Sequence, residues 1–296
     1  MEATGNFDRI SMIFLRGQSK VFYSITKLSY QNGSASFNIS GPILAEKMNY
    51  SLRVYLVNST NDSTLIATRN EIVSGDILVV NGNKHVSNGF TEISNNPYIR
   101  TYGSVSPNSP NSPYPQADTL WAIANSSRSS NIGKLAYLFG STILDKTNIP
   151  VGIINGADNF TTTSHLITKT TQITTNFDKL TYRIQKGKLG EYIRGYYYQG
   201  GELDSKLDLS DWSVKMTQHI ADIKLLMPGL SQIFVGQLNM ESDSLISAQI
   251  REFQRKIPNV ITIPTYGLRN ENRLPTYHRL DISASLLPNK NKNRNW

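Results

Sequence analysis

Covalent catalysis by a side chain needs a nucleophile, a base to take its proton and an acid to orient the base. The 296-residue chain offers few residues for these roles. Its four histidines stand at His85, His165, His219 and His278, with no HxxxH or HExxH pair to hold a metal from one helix face. It has no cysteine, which removes disulfides, thiolate zinc sites, iron–sulfur centres and a thiol nucleophile. Hydroxyls, carboxylates and scattered imidazoles are left. Ser87 precedes Asn88 and Gly89 in a polar loop that also carries Lys84 and His85, and such a tripeptide is equally an ordinary turn. Glu202 and Asp204 are carboxylates in a later loop, and Asp281 follows His278 by three residues. His219 falls inside an expected helix that begins near Trp212, and a structural role is expected for it and for His165. No His-based metal site is expected.

The charge pattern narrows the partners. Thirty Lys and Arg against 22 Asp and Glu leave a net charge of +8. The densest basic patch is Lys290, Lys292 and Arg294 at the C-terminal end, a solvated tail rather than a phosphate-binding stripe, so no nucleic-acid partner is expected. Mean hydropathy is −0.33, and no run approaches the roughly 18 apolar residues of a membrane span. Met1-Glu2-Ala3-Thr4 lacks a basic n-region and Ile10–Leu15 is too short for the core of a signal peptide, so the expectation is a cytoplasmic protein or one whose signal has been removed.

The elements that position these loops follow from hydrophobic spacing. Tyr50, Leu52, Val54 and Leu56 alternate with polar residues, as do Ser36–Ser40 after the turn signal Gln31-Asn32-Gly33-Ser34, and Val21–Ile25 is a third candidate strand. These predict a small N-terminal β-sandwich over residues 1–75. From residue 76 the pattern changes to short apolar runs, Ile77–Val80, Val151–Ile154, Tyr192–Tyr198, Ile233–Val235 and Val260–Ile263. Between them lie helical repeats through Ile132–Ile143, Trp212–Ile223 and Ile246–Phe253. That alternation predicts an α/β fold with a doubly wound parallel sheet. Ligands in such sheets bind outside the carboxyl ends of the strands, which directs attention to the loops beginning at Asn81, Asn155, Gln199, Leu238 and Pro264. The aperiodic stretch from Gly82 to Asn131 reads either as a surface excursion or as a lid over the site.

At these loops the chain resembles a family. Ile72–Gly82 is similar to the entry of the first catalytic block of the sialate O-acetylesterase-like carbohydrate esterases, of the SGNH-hydrolase superfamily. Asn148–Gly156 is similar to the strand before the second block. Gly195-Tyr196-Tyr197-Tyr198-Gln199-Gly200 resembles the Trp-Tyr-Gln-Gly-Glu segment, and Ile250-Arg251-Glu252-Phe253-Gln254 the late Leu-Arg-Glu-Ala-Gln helix. The order and spacing of these blocks, over roughly residues 5–268, carry the resemblance. It implies a flavodoxin-like SGNH domain over 76–268, behind the β module, with a tail of uncertain structure at 269–296. It further implies hydrolysis of O-acetyl esters on glycans or sialoglycans without a cofactor, and a secreted or periplasmic location.

The family's chemistry takes its Ser from Gly-Gln-Ser-Asn, an oxyanion donor from Gly-Gly-Thr and its His from Asp-x-x-His. This chain departs at each. Gly82-Asn83-Lys84-His85 places Lys84 at the nucleophile position. Asp158-Asn159-Phe160-Thr161 retains only Thr161 of the second block. Gln199-Gly200-Gly201-Glu202 displaces the acid by one position, and Pro275 stands where the Asp partner of His278 belongs. An acyl-amide on a lysine turns over too slowly to serve an esterase, so activity is expected to be reduced or lost, with glycan binding retained through Tyr197, Tyr198 and Gln199. In an alternative register Ser87-Asn88 is the Ser-Asn pair, and Ser87 with His278 and Asp281 makes an active esterase. The substrate and oxyanion loops are then Gly82, Asn83, His85, Asn159, Thr161, Tyr198, Gln199 and Gly200, with Glu202 a candidate acid. Asn272–Ser283 also resembles a segment near the C-terminus of TonB-dependent outer-membrane receptors, although one strand cannot form a barrel. The oligomeric state has no signature in the sequence.

Lys84→Ser together with His85→Asn and Asn83→Gln rebuilds Gly-Gln-Ser-Asn. With Phe160 still in the second block, and one lost oxyanion donor costing about 10²–10³ in rate, hydrolysis of p-nitrophenyl acetate by the triple variant is expected at background. Robust turnover would show that the other blocks are intact.

Overall fold

A computed structural model describes residues 7–82, 95–103, 119–125, 132–157, 162–170, 173, 175–201, 204, 209–238 and 245–264. The chain divides into two compact units, Met1–Gly75 and Asp76–Trp296. The first holds β1 (Phe7–Arg16), β2 (Ser19–Lys27), β5 (Tyr50–Asn58) and β6 (Ser63–Ile72) in one antiparallel sheet of order β2-β1-β5-β6. β3 (Tyr30–Gln31) and β4 (Ser34–Ala35) form a separate two-stranded hairpin. The antiparallel module thus rests on one four-stranded sheet. Ser36–Ser40, expected as a strand, is irregular and largely exposed, so its alternation has no buried face to serve. Ile10, Leu28 and Leu56 form this unit's core.

The second unit is the expected α/β fold. Its seven-stranded sheet has the order β13-β12-β11-β7-β10-β8-β9. The strands are β7 (Asp76–Gly82), β8 (Ile99–Tyr102), β9 (Trp121–Ile123), β10 (Val151–Asn155), β11 (Ile193–Gln199), β12 (Gln232–Gly236) and β13 (Ile261–Ile263). All neighbours pair parallel except β8 and β9. The aperiodic stretch after Gly82 therefore contributes β8 and, at the edge of the sheet, β9, which its Ser, Asn and Pro content concealed. The five apolar strands run in flavodoxin-like order, with the topological switch between β7 and β11, where such sheets bind ligands.

Both faces of the sheet are covered, which is why its strands read as continuous apolar runs. Leu78, Val80, Val151, Ile153, Tyr197 and Phe234 pack on one side against Ala136, Phe139, Ile143 and Leu144 of α1 (Lys134–Thr147). Val79, Ile154, Tyr196, Tyr198, Ile233 and Val235 pack on the other. That side is closed by α3 (Asn176–Gly187), α4 (Leu209–Leu226) and α5 (Leu245–Lys256), with the short α2 (Thr163–Ile167) beside them. Asn148 ends α1 in the left-handed conformation, and its N–H bonds the carbonyl of Leu144, with Pro150 just ahead of β10.

α3 starts at a capping box. The Thr175 hydroxyl accepts from the Asp178 N–H, and the Asp178 carboxylate accepts from the Thr175 N–H. The same carboxylate takes the N–H and hydroxyl of Thr170, at 2.8 and 2.5 Å. Burial opposes its charge, but these hydrogen bonds prevail and hold its pKa below the ordinary carboxylate value. The helix buries Phe177, Leu180 and Ile184 against the sheet. Leu180→Ala, at a fully buried site, is expected to cost about 2–5 kcal/mol, read as a lower urea midpoint with an unchanged slope. A loss under about 1 kcal/mol would mean that α3 does not close this core.

Candidate functional site

The central strands end in amides. Register places Gln199 of β11 opposite Gly82 of β7, Tyr198 opposite Asn81, and Asn155 of β10 opposite Val80. Asn81, Asn155 and Gln199 are all buried. They stand side by side at the carboxyl ends of three adjacent strands, where an interior polar group must find partners or remain a cost.

Asn81 is satisfied by a relay that crosses the sheet face. Its Oδ1 accepts the Gly82 N–H at 2.8 Å, and its Nδ2 donates to the Tyr196 hydroxyl at 2.9 Å. That hydroxyl lies 2.6 Å from His219 Nε2, and its donation to that nitrogen assigns the imidazole proton to Nδ1. Burial pushes the Tyr196 hydroxyl above its ordinary range, which keeps it a donor. Burial also lowers His219 to about 3, so the ring is neutral at physiological pH. Phe177 packs edge-on against that ring, at 4.7 Å between centroids. The structural role expected of His219 is the one observed.

Two glycines lie next to Asn81 for different reasons. A Cβ on Gly156 would come within 3.3 Å of the Asn81 amide and 3.0 Å of Leu180. Gly82 leaves β7 with φ 150°, a backbone state that side-chain-bearing residues rarely adopt.

Gln199 and Asn155 differ in what they have left to offer. Gln199 Oε1 accepts from the Tyr197 hydroxyl at 2.7 Å. Asn155 Oδ1 accepts the Ala157 N–H at 2.9 Å, and its backbone carbonyl takes an N–H of Arg183. Its Nδ2, fully buried, meets no acceptor among the described residues. Sequence reasoning marked Asn155 only as the start of a loop. The available signal was an amide closing an apolar run beside a Gly.

A third set of bonds holds Asp204, beyond β11. The Tyr198 hydroxyl donates to Thr163 Oγ1 at 2.9 Å, and the Thr163 N–H reaches both Asp204 oxygens at 3.0 and 3.2 Å. Asp204, read from sequence as a carboxylate near a pocket or in a solvated loop, is buried against the start of α2. Burial raises its pKa, with the Thr163 bonds opposing that shift.

Tyr197 and Tyr198 depart from expectation. Read as glycan contacts, they are 2% and 0% exposed, and both hydroxyls are spent on internal partners. They are walls of the core, because β11 is covered on both faces. Of the other expected site residues, Gly82, Gln199 and Gly200 lie at the strand ends described above. Lys84, Ser87, Asn83, His85, Asn159, Thr161, Glu202, His278 and Asp281 lie outside the described residues. Among the described residues no group of His, Asp and Glu is arranged to hold a metal.

The relay sets a pH dependence. With a folded-state value of about 3 against 6.5 for the free side chain, His219 takes up its proton in the unfolded chain first. Its contribution to stability is complete above pH 6.5 and is lost as pH falls toward 3, at up to about 1.4 kcal/mol per pH unit. His219→Gln keeps an acceptor for Tyr196 and is expected to flatten the stability–pH curve between pH 6.5 and 4. Parallel curves for the two proteins would contradict a neutral buried imidazole.

No family model and no curated protein matches the chain. Among solved structures it is similar to a carbohydrate acetylesterase from Xanthomonas citri, at 16% identity and a TM-score of 0.54, over 96% of this chain and 68% of that one. A protein from Arabidopsis thaliana matches at 16% identity and a TM-score of 0.47, over 68% of this chain and 90% of that one. The lipase/acylhydrolase from Enterococcus faecalis matches at 12% and 0.37, over 64% and 75%. At these identities the likeness is one of fold: the chain has the SGNH-hydrolase type of doubly wound α/β sheet, preceded by an antiparallel module.

Proposed function

We propose that the chain is a glycan-ester-binding protein of the carbohydrate acetylesterase fold, in which the hydrolytic step is reduced or lost. The observation that supports this most is the buried Asn155 Nδ2–H, a donor without an acceptor among the described residues, one strand from Gly82. Such a donor is completed by a carbonyl oxygen, the group an acetyl ester presents. Held by the Ala157 N–H on its other side, it is aimed in advance, as stabilisation of a carbonyl or oxyanion requires. The Xanthomonas citri protein of the same fold is described as a carbohydrate acetylesterase, which favours a glycan as the carrier of the ester.

The reading of lost turnover rests on the chemistry of Lys84. A lysine at the nucleophile position forms an amide that a weakened second block has little means to hydrolyse. The sequence keeps the strand ends that frame an ester while replacing the atom that attacks it. An acetylated glycan is therefore the ligand, and binding rather than acetate release is the output.

Acetylated and chemically deacetylated xylo-oligosaccharides, titrated against the purified chain, test both halves. Acetyl-dependent binding is expected, weakened about tenfold or more by Asn155→Asp, which keeps the acceptor for Ala157 and removes the amide donor. Acetate release from the same panel is expected at blank level. Release that disappears in Ser87→Ala with the fold intact would overturn the reading in favour of an active esterase in the shifted register.

A further inference from the structure

The carboxyl end of the edge strand β13 opens on a cleft of about 510 Å³, lined by Gln237, Arg251, Arg255, Thr262 and Pro264. Arg251 and Arg255 lie one helical turn apart on the same face of α5. Among the described residues Arg255 meets Glu252 only at 3.7 Å, and the same carboxylate lies closer to Lys256, at 3.0 Å. The Arg251 Nε–H is buried and meets no acceptor among the described residues.

The remaining polar groups around the cleft are committed elsewhere. The Thr262 hydroxyl donates to the Gln254 carbonyl at 2.6 Å, and Gln237 Nε2 approaches the Arg251 carbonyl at 3.4 Å. Gln254 bonds the Leu238 N–H and the Gly236 carbonyl, which holds α5 against the exit of β12. Among the described residues the Arg251 Nε–H is thus the cleft's unspent buried donor, with the exposed Arg255 guanidinium one turn away. A buried N–H of a charged group left without an acceptor is costly, and the planar guanidinium fork matches the two oxygens of a carboxylate or phosphate.

We propose that this cleft binds an oxyanion, the carboxylate of an acidic sugar or a phosphate group, through Arg251 and Arg255. In the sheet order β12 and β13 stand two and three strands from β7, which puts the cleft about 10–15 Å across the strand ends from Gly82. That span fits a charged unit further along a glycan whose ester lies at the central strands. This placement, unlike anion binding itself, rests on the glycan-ester reading.

Calorimetric titration of the whole chain with glucuronate, inorganic phosphate and glucose tests the site. Glucuronate or phosphate is expected to bind and glucose is not. Arg251→Gln and Arg255→Gln should each weaken the anion about tenfold or more, with Arg251→Lys intermediate because it keeps charge without the fork. Arg255 is exposed, so its variant folds even if Arg251→Gln does not. The tighter of the two anions identifies the source of the oxyanion. Absence of binding by both, or binding unchanged in the Arg255 variant, overturns the proposal. Acetyl-dependent oligosaccharide binding without anion binding would remove this site alone, whereas anion binding without acetyl dependence would remove only the ester reading.

Discussion

The interaction on which the second unit turns is the bond between the Asn81 amide and the Tyr196 hydroxyl. It joins the two strands that flank the topological switch, at the level where β7 stops being a strand and becomes a loop. A polar side chain in that position is admissible in a dry core only if every donor and acceptor is answered, and the answer runs from the Gly82 N–H through Asn81 and Tyr196 to His219 on α4. The relay has one direction of donation throughout, because the buried tyrosine stays protonated and the buried histidine stays neutral. Gly82 is thereby tied, through Asn81 and Tyr196, to a helix packed on the same face of the sheet as Tyr196.

The other strand ends follow the same rule with different outcomes. Gln199 is locked by Tyr197 on the α1 face, and Tyr198 holds Thr163 on the opposite face, so alternate tyrosines of one strand tie down two different neighbours. Asn155 is locked on one side only. The strand ends are therefore a frame tied largely to its own core, and among the described residues the Asn155 Nδ2–H is left without an acceptor there. Under the proposed function, a nucleophile replaced in the sequence leaves such a frame intact, so ester binding does not depend on hydrolysis.

What the sequence revealed depended on whether polar residues interrupted the apolar period. Ile77–Val80, Val151–Ile154 and Ile233–Val235 read plainly because both faces of each strand are buried. The helix from Asn176 did not, since Asp178, Lys179, Thr181 and Arg183 are buried beside Phe177, Leu180 and Ile184, and their polarity masks the 3.6-residue repeat. β8 and β9 are short and set among Ser, Asn and Pro, and exposed edges such as β6 show little alternation. The loops at Asn81, Asn155 and Gln199 were located correctly from strand ends. The roles of Tyr197 and Tyr198 were not, because an aromatic side chain on a doubly covered strand looks the same in sequence as one that faces a ligand.

The measurement closest to the central claim is amide hydrogen exchange in Tyr196→Phe. Removing the hydroxyl takes away the bond from Asn81 Nδ2 and the one to His219 Nε2, while the aromatic packing is kept. The account predicts that the Gly82 amide, which donates to Asn81, exchanges about tenfold faster or more, with Val235 in β12 unchanged. Equal exchange at Gly82, or a uniform increase across the whole sheet, would contradict the claim that this relay fixes the start of the site.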